Sequence, residues 1–471
     1  MKRLSWLRFS WSWAAAAAVT GTGAVAWPYT VDDAFISARY AQRIAAGLGY
    51  TFSGQSASDG VTGPLWLLPQ LAAIEMGADP VVVAKGLGLV CAGGAAALVV
   101  RRAEMLGCSG WVAAALVGCQ SSLGIWSVAG LETGLAVLLF SCAALALVAR
   151  RASWLAGLWL AALAWLRPEL GPAGLVILLV LTRRDLAAGV RATLVALGGV
   201  CVLLAFRLFL FGEALPLSFH AKGGTLGSGL RYVTLGLLLT TGVGGVGLTW
   251  RAGATSSFSR GLALAIAVQL ITIGLLGGDW MPGQRLIAPL LPAYALLGAR
   301  GADTRDWSCR AMLLLALALP ALQLSLQLPE ARRAGQTREA VARPLALWLR
   351  DNAATMALVD AGYLSYASGI EVVDLGGLTD PIVAHSPGGH LSKRVDVGYL
   401  QQRDPDVVVL HSTSRPRVAP DGRLLSLPGA APVESRLAAS GWFRHHYRVV
   451  KTVRYTSRYY YVVASASPQE S

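Results

Sequence analysis

Asp32 and Asp33 stand side by side just after the first apolar run of the chain, at the head of a stretch with helical spacing. Carboxylates at a helix N-terminus are favoured by the positive end of its dipole, and Asp is a preferred N-cap. Capping explains one aspartate better than two. The chemical alternatives are a general base, a nucleophile or a ligand for a divalent cation, and carboxylate oxygens would suit Mg²⁺ or Mn²⁺. Further on, Glu132 follows Gly130-Leu, and Arg167 and Glu169 flank Pro168 in a charged break between two short apolar runs. That break is either a helix-ending ion pair or part of a donor- or acceptor-binding element. The stretch from Phe211 to Lys222 brings Glu213, His220 and Lys222. A lysine outside the bilayer can hold a phosphate as a point charge, the plainer alternative being a loop facing lipid headgroups. The last stretch, Gly277 to Arg285, holds Asp279, Trp280, Gln284 and Arg285. Its glycines let backbone approach a ligand closely. In the plain reading Trp280 anchors at the membrane interface and Arg285 pairs with Asp279.

The elements that must position these groups are apolar runs. Of 471 residues, 55% are apolar and only 14% charged, where a soluble domain carries about a quarter. Runs of about 20 apolar residues suit bilayer-crossing helices. Candidate spans are 9–27, 80–100, 111–127, 131–149, 153–166, 169–182, 192–211, 230–250, 261–277, 285–299 and 310–328, about eleven in all. The net charge is +14, but the basic residues sit in short clusters between spans, such as Arg101-Arg102, Arg150-Arg151 and Arg183-Arg184. With the N-terminus inside, starting from Lys2, Arg3 and Arg8, the alternate loops hold fifteen Lys and Arg against four acids. That is the positive-inside bias of a polytopic membrane protein, and it speaks against a nucleic-acid partner. The opposite loops carry Asp32, Asp33, Glu132, Arg167, Glu169, His220, Lys222, Asp279, Gln284 and Arg285, so a shared site on the outer face is expected. Ala24-Val-Ala26 resembles a cleavage site, although an uncleaved first helix is the better reading with so many spans behind it.

Residues 28–79 form a long first outer loop. Its Asp33 to Ala46 stretch reads as an amphipathic helix with Arg39 and Arg43 between apolar positions, and Pro64 to Met76 as a re-entrant or interfacial helix. From about residue 330 the pattern changes. A helix at 344–350 and short strands at 357–360, 371–374, 407–410, 447–450 and 459–463 predict a small C-terminal α/β domain, placed outside by the odd span count. The expected division is therefore 1–329 and 330–471. The six cysteines read as packing residues, and the six histidines show no metal-ligand spacing, so a zinc site is not expected; the metal is left unknown.

Taken in order, these motifs resemble the GT-C superfamily of membrane glycosyltransferases, and within it the branch of the mycobacterial terminal arabinofuranosyltransferase. Asp32-Asp33-Ala-Phe-Ile-Ser-Ala-Arg39-Tyr resembles that family's first-loop motif. Gly47 to Phe52, Thr62-Gly-Pro-Leu-Trp66, Gly130 to Thr133, Leu166 to Glu169, Pro216 to Lys222, Gly277 to Arg285 and Asp374 to His385 follow in sequence. The resemblance implies a GT-C-like fold and a sugar donor on polyprenyl phosphate. Transfer would be to a glycan or glycolipid acceptor outside the bacterial cytoplasmic membrane. Asp33 or Asp32 would be the catalytic carboxylate, and Lys222 and Arg285 donor-phosphate ligands. Arg39, Glu132, Arg167, Glu169, His220, Asp279, Trp280 and Gln284 complete the expected binding set. Membrane lipids are partners in any case. A lipid-linked glycan transporter would place its polar groups near the bilayer midplane, and a non-catalytic envelope assembly protein would tolerate loss of the aspartate pair.

Overall fold

Backbone in lipid must satisfy its own hydrogen bonds, so uncharged runs of Leu, Val and Ala fold as helices. The computed structural model describes residues 10–54, 56–148, 153–457 and 459–466. Lys2, Arg3, Arg8, Arg150 and Arg151, part of the charge argument above, lie outside the described residues. The chain divides into two units. A helical unit comprises Met1–Tyr29, Val82–Leu204 and Gly224–Arg332, and a mixed unit Thr30–Val81, Ala205–Gly223 and Arg333–Ser471.

Among the described residues five helices are long and apolar enough to cross a membrane: Pro80–Met105, Leu186–Phe211, Leu226–Thr255, Ser257–Leu275 and Trp307–Asn352. The Leu186–Phe211 helix keeps Leu194, Val202 and Phe209 exposed, as a lipid-facing helix must. A helix stands in every other expected span too, but several are short: Thr133–Ala146 has 14 residues and Ser153–Ala164 has 12. At 1.5 Å per residue these fall well short of a bilayer's ~30 Å core, so eleven crossings go further than the helix lengths do.

The span expected at 111–127 is two helices, Gly110–Gly118 and Ser121–Ser127, parted at an extended Gln120. The Gln120 amide donates to Leu116 O at 3.0 Å and to Thr240 O at 2.8 Å. The Thr240 carbonyl belongs to the Leu226–Thr255 helix, which kinks at Gly242 (φ 60°). One side chain thus serves carbonyls at two interruptions, and such irregular backbone is tolerated at membrane depth only where it is buried and paired.

In the mixed unit a five-stranded sheet has the order β2-β1-β3-β7-β6. The strands are β1 (Thr355–Leu358), β2 (Glu371–Asp374), β3 (Val407–Ser412), β6 (Tyr447–Thr456) and β7 (Tyr459–Ala466), and a separate pair joins β4 (Arg417–Val418) and β5 (Leu424–Ser426). Strands β2, β1 and β3 are parallel, and β3, β7 and β6 antiparallel. Alternation splits the strands between two cores. Met356, Leu358, Val407, Val409, Tyr461 and Val463 pack with Phe35, Ile36, Ala38, Tyr40 and Ala41 of the Asp33–Ala45 helix. Ala357, Val373, Val408, Leu410 and Val462 pack with Leu437, Trp442 and Phe443. The expected first-loop helix therefore forms, and it covers one face of the C-terminal sheet. The unit carrying the sheet is accordingly wider than residues 330–471.

Candidate functional site

Burial of its apolar face turns the head of the Asp33–Ala45 helix toward the loop after β1. Asp32, the N-cap, makes no capping bond with its side chain. Its carboxylate instead accepts the backbone N–H groups of Gly362 (2.9 Å) and Tyr363 (2.8 Å). Gly362 is required there, because a Cβ would lie 2.2 Å from the Asp32 carboxylate. Burial, reinforced by Asp360 and Asp33, pushes the Asp32 pKa up to about 7 against the pull of the Tyr363 amide and Arg338. Arg338 donates to Thr30 O at 2.7 Å and lies over the Phe35 and Tyr363 rings.

Arg39 is buried, and its guanidinium donates to Phe52 O (2.9 Å), Ser365 O and Ile370 O (2.6 Å). It ties the helix to the connection between β1 and β2, a role hidden from a reading that placed it between apolar positions. Arg207 forms a buried ion pair with Asp59 (3.0 Å) and donates to Thr62 O at 2.8 Å.

His220, on the short Leu217–Ala221 helix, has Nε2 3.3 Å from Glu213 Oε2, and His385 Nε2 lies 3.2 Å from Glu213 Oε1. The three ligand atoms fall within 4.8 Å of one another. His385 Nδ1 lies 2.8 Å from Pro381 O, so that backbone carbonyl orients the ring with Nε2 toward Glu213, the usual arrangement behind a metal-binding histidine. Two imidazoles and a carboxylate suit Zn²⁺ or a similar divalent ion. The fold thus brings together two histidines and a glutamate that the sequence keeps apart. Asp32 and Asp33, for which a divalent cation was one alternative, are not among these three. Buried Lys393 pins the same loops by donating to His220 O (3.1 Å), Ala384 O (2.5 Å) and Ser386 O (3.0 Å). In the tail motif Asp374 accepts the amides of Gly376, Gly377 and Thr379, and Asp380 caps the Pro381–His385 helix that delivers His385. Lys222, just beyond the 217–221 helix, is exposed.

In the helical unit, Arg167 is buried between Glu132 (2.9 Å) and Glu169 (3.0 Å), so three expected residues do meet. Gln269 donates to Glu169 O at 3.0 Å. Arg285 pairs with Asp279 and lies 5.5 Å over the Trp126 ring, whose Nε1 donates to Gly283 O at 3.0 Å. Gly277, Gly278, Gly283 and Gln284 all have positive φ, which folds this loop tightly. Gln284 accepts from Gln323, while Trp280 is exposed. Lys85 donates to Trp27 O and lies over the Trp27 ring.

Asp360, His411 and Glu434, which line the Asp32 site, were not singled out in the sequence. The available signal was polar residues closing two of the apolar strand runs, Asp360 after Val359 and His411 after Leu410.

Long apolar helices joined to a mixed sheet define an integral membrane protein, and the fold has solved counterparts. The chain superposes on the crystal structure of ArnT from Cupriavidus metallidurans bound to undecaprenyl phosphate, with a TM-score of 0.56 at 16% identity, covering 96% of this chain and 98% of that one. The apo form of the same protein gives 0.55 at 14% identity, with coverage of 97% and 98%. A family model described as a domain of unknown function, DUF8728, matches residues 329–464. No curated protein matches the sequence.

Proposed function

We propose that the chain is a GT-C-type glycosyltransferase that moves a sugar from a polyprenyl-phosphate donor to an envelope glycan or glycolipid on the outer side of the bacterial cytoplasmic membrane. Nucleotide sugars are cytosolic, so an outward-facing enzyme needs a lipid-borne donor. ArnT, whose fold the chain shares along nearly its whole length, was crystallised with such a lipid phosphate. The observation that carries the chemistry is Asp32, a carboxylate oriented by two amides with a pKa near neutrality. A base is most effective when its pKa lies close to the working pH. In this reading Asp32, with Asp33 beside it, takes the proton of the acceptor hydroxyl. Lys222 and Arg285 balance charge on the departing lipid phosphate. Glu132, Arg167, Glu169, Asp279, Trp280, Gln284 and His220 complete the binding set, and Arg39 acts through the helix it anchors.

The test is mass spectrometry of envelope glycans from a deletion strain complemented with wild type, Asp32→Asn or Asp33→Asn. One sugar disappears on deletion and returns with wild type. The Asp32→Asn protein inserts normally but transfers at least about a hundredfold less. A normal glycan in that strain rules out Asp32 as the base.

A further inference from the structure

A group of buried polar residues not used by this reaction converges at one point of the mixed unit. The connection from β1 to β2 runs to one side of β1, and that from β2 to β3 returns on the other. The chain thus changes direction between the parallel neighbours β1 and β3, and ligands of such sheets bind outside the carboxyl ends of the strands at this point. Asp360 lies in the turn after β1, and His411 near the end of β3.

The imidazole of His411 is gripped at one nitrogen and faces a carboxylate with the other. Its Nδ1 lies 2.6 Å from Glu434 Oε1, which also accepts the His411 backbone N–H at 3.0 Å. The other Glu434 oxygen accepts the Ala431 amide at 3.0 Å, so this wholly buried carboxylate is fully committed. His411 Nε2 faces Asp360 Oδ2 at 3.6 Å, and the Tyr459 hydroxyl donates to the same oxygen at 2.8 Å. Two residues past Asp360 come Gly362 and Tyr363, whose amides hold the Asp32 carboxylate. Whatever fixes Asp360 therefore fixes the orientation of Asp32.

We propose that His411 is a positioning residue for transfer: gripped by Glu434 and facing Asp360, it holds the 360–363 turn that aims the Asp32 carboxylate. The inference rests on the reading of Asp32 as base. Asp32, Asp360, Glu434, Tyr459 and Tyr461 surround the imidazole, while Asp33, Asp360, Arg338 and the Tyr363 amide act on Asp32. Burial alone would push the His411 pKa down, but Asp360 and Glu434 carry it up to about 9, so the ring is a cation at neutral pH. A cation there offsets Asp360 as seen from Asp32. Without it Asp32 holds its proton more tightly, and without Asp360 less tightly.

The experiment uses the full chain in lipid nanodiscs as wild type, His411→Gln, Asp360→Asn and Glu434→Gln. The donor probe is the pool of radiolabelled polyprenyl-phosphate sugars extracted from membranes. Folded His411→Gln should lose at least about tenfold in kcat with a donor KM within about twofold. Its acidic limb of rate against pH should move up by about one unit, and that of Asp360→Asn should move down. Without substrate, the ¹⁵N-histidine signal of His411 should titrate about one unit lower in Asp360→Asn and Glu434→Gln than in wild type. Acidic limbs that stay in place, or a His411 titration indifferent to both carboxylates, overturn the proposal. If His411→Gln does not fold, the partly exposed Asp360 carries the same test. Full transfer by Asp32→Asn would sink the base assignment instead. The substrate-free titration reads the His411–Asp360 contact independently of that result.

Discussion

A carboxylate that titrates near neutrality makes both activity and stability depend on pH, and the signs can be worked out residue by residue. The proposed base works ionised, so transfer should rise with pH through about 7, measured as initial rate at saturating donor. Asp360 and Glu434 hold the folded His411 pKa at about 9, above the ordinary 6.5 of an imidazole. Its contribution to stability is therefore complete below 6.5 and lost as pH rises through 9. Thermal melts of His411→Gln should fall below wild type at pH 6, and the gap should close at pH 10. A gap that is the same at both values would mean the imidazole contributes by shape alone. Gly362→Ala should also lose transfer, because the new methyl lands on the Asp32 carboxylate and drives it off its amides. Of these residues the sequence revealed Asp32 and Asp33, through adjacency and position. It concealed Asp360, His411 and Glu434, whose meaning comes from contacts between remote segments. Arg39 was visible as a charge but not as a buried tie.

At the scale of elements, regular structure was legible where one pattern dominates. The strand at 371–374 and the helix from Asp33 were plain because alternation and helical spacing are local properties. The break at Gln120 was not, since one amide barely alters the hydropathy of a run, and its reason is the kinked helix it serves. That kink gives a prediction. Gly242 has φ 60°, and a Cβ there would meet Leu315 O at 2.3 Å. Gly242→Val should destabilise the protein by about 1–3 kcal/mol or more, read as a lower melting temperature in detergent. The 381–385 and 217–221 helices offer another. Adding Zn²⁺ to chelator-treated protein should raise its melting temperature, and His220→Ala or His385→Ala should abolish the effect. An equal rise in those variants would place the ion elsewhere.

For the molecule as a whole, the charge bias between loops predicts which groups meet the outside. A cysteine introduced at the exposed Ser414 of the mixed unit should react with an impermeant maleimide in intact cells. One introduced at Asp303 should react only after the membrane is opened. The reverse pattern would invert the proposed orientation and remove the argument for a lipid-borne donor. The composition changes near residue 330, and the unit that holds the sheet also gathers two earlier segments whose membership no local pattern announces.

The Asp32–Gly362 bond joins residues 330 positions apart, which bears on biogenesis. The helix behind Asp32 leaves the ribosome before any strand, and the sheet it covers is finished only once β7, the neighbour of β3, has emerged. Until then the strand surface under Phe35, Ile36 and Tyr40 lacks Tyr461 and Val463. A chain truncated before β7 should therefore reach the membrane with an unfinished reaction centre and an exposed greasy surface, a natural target for quality-control proteases.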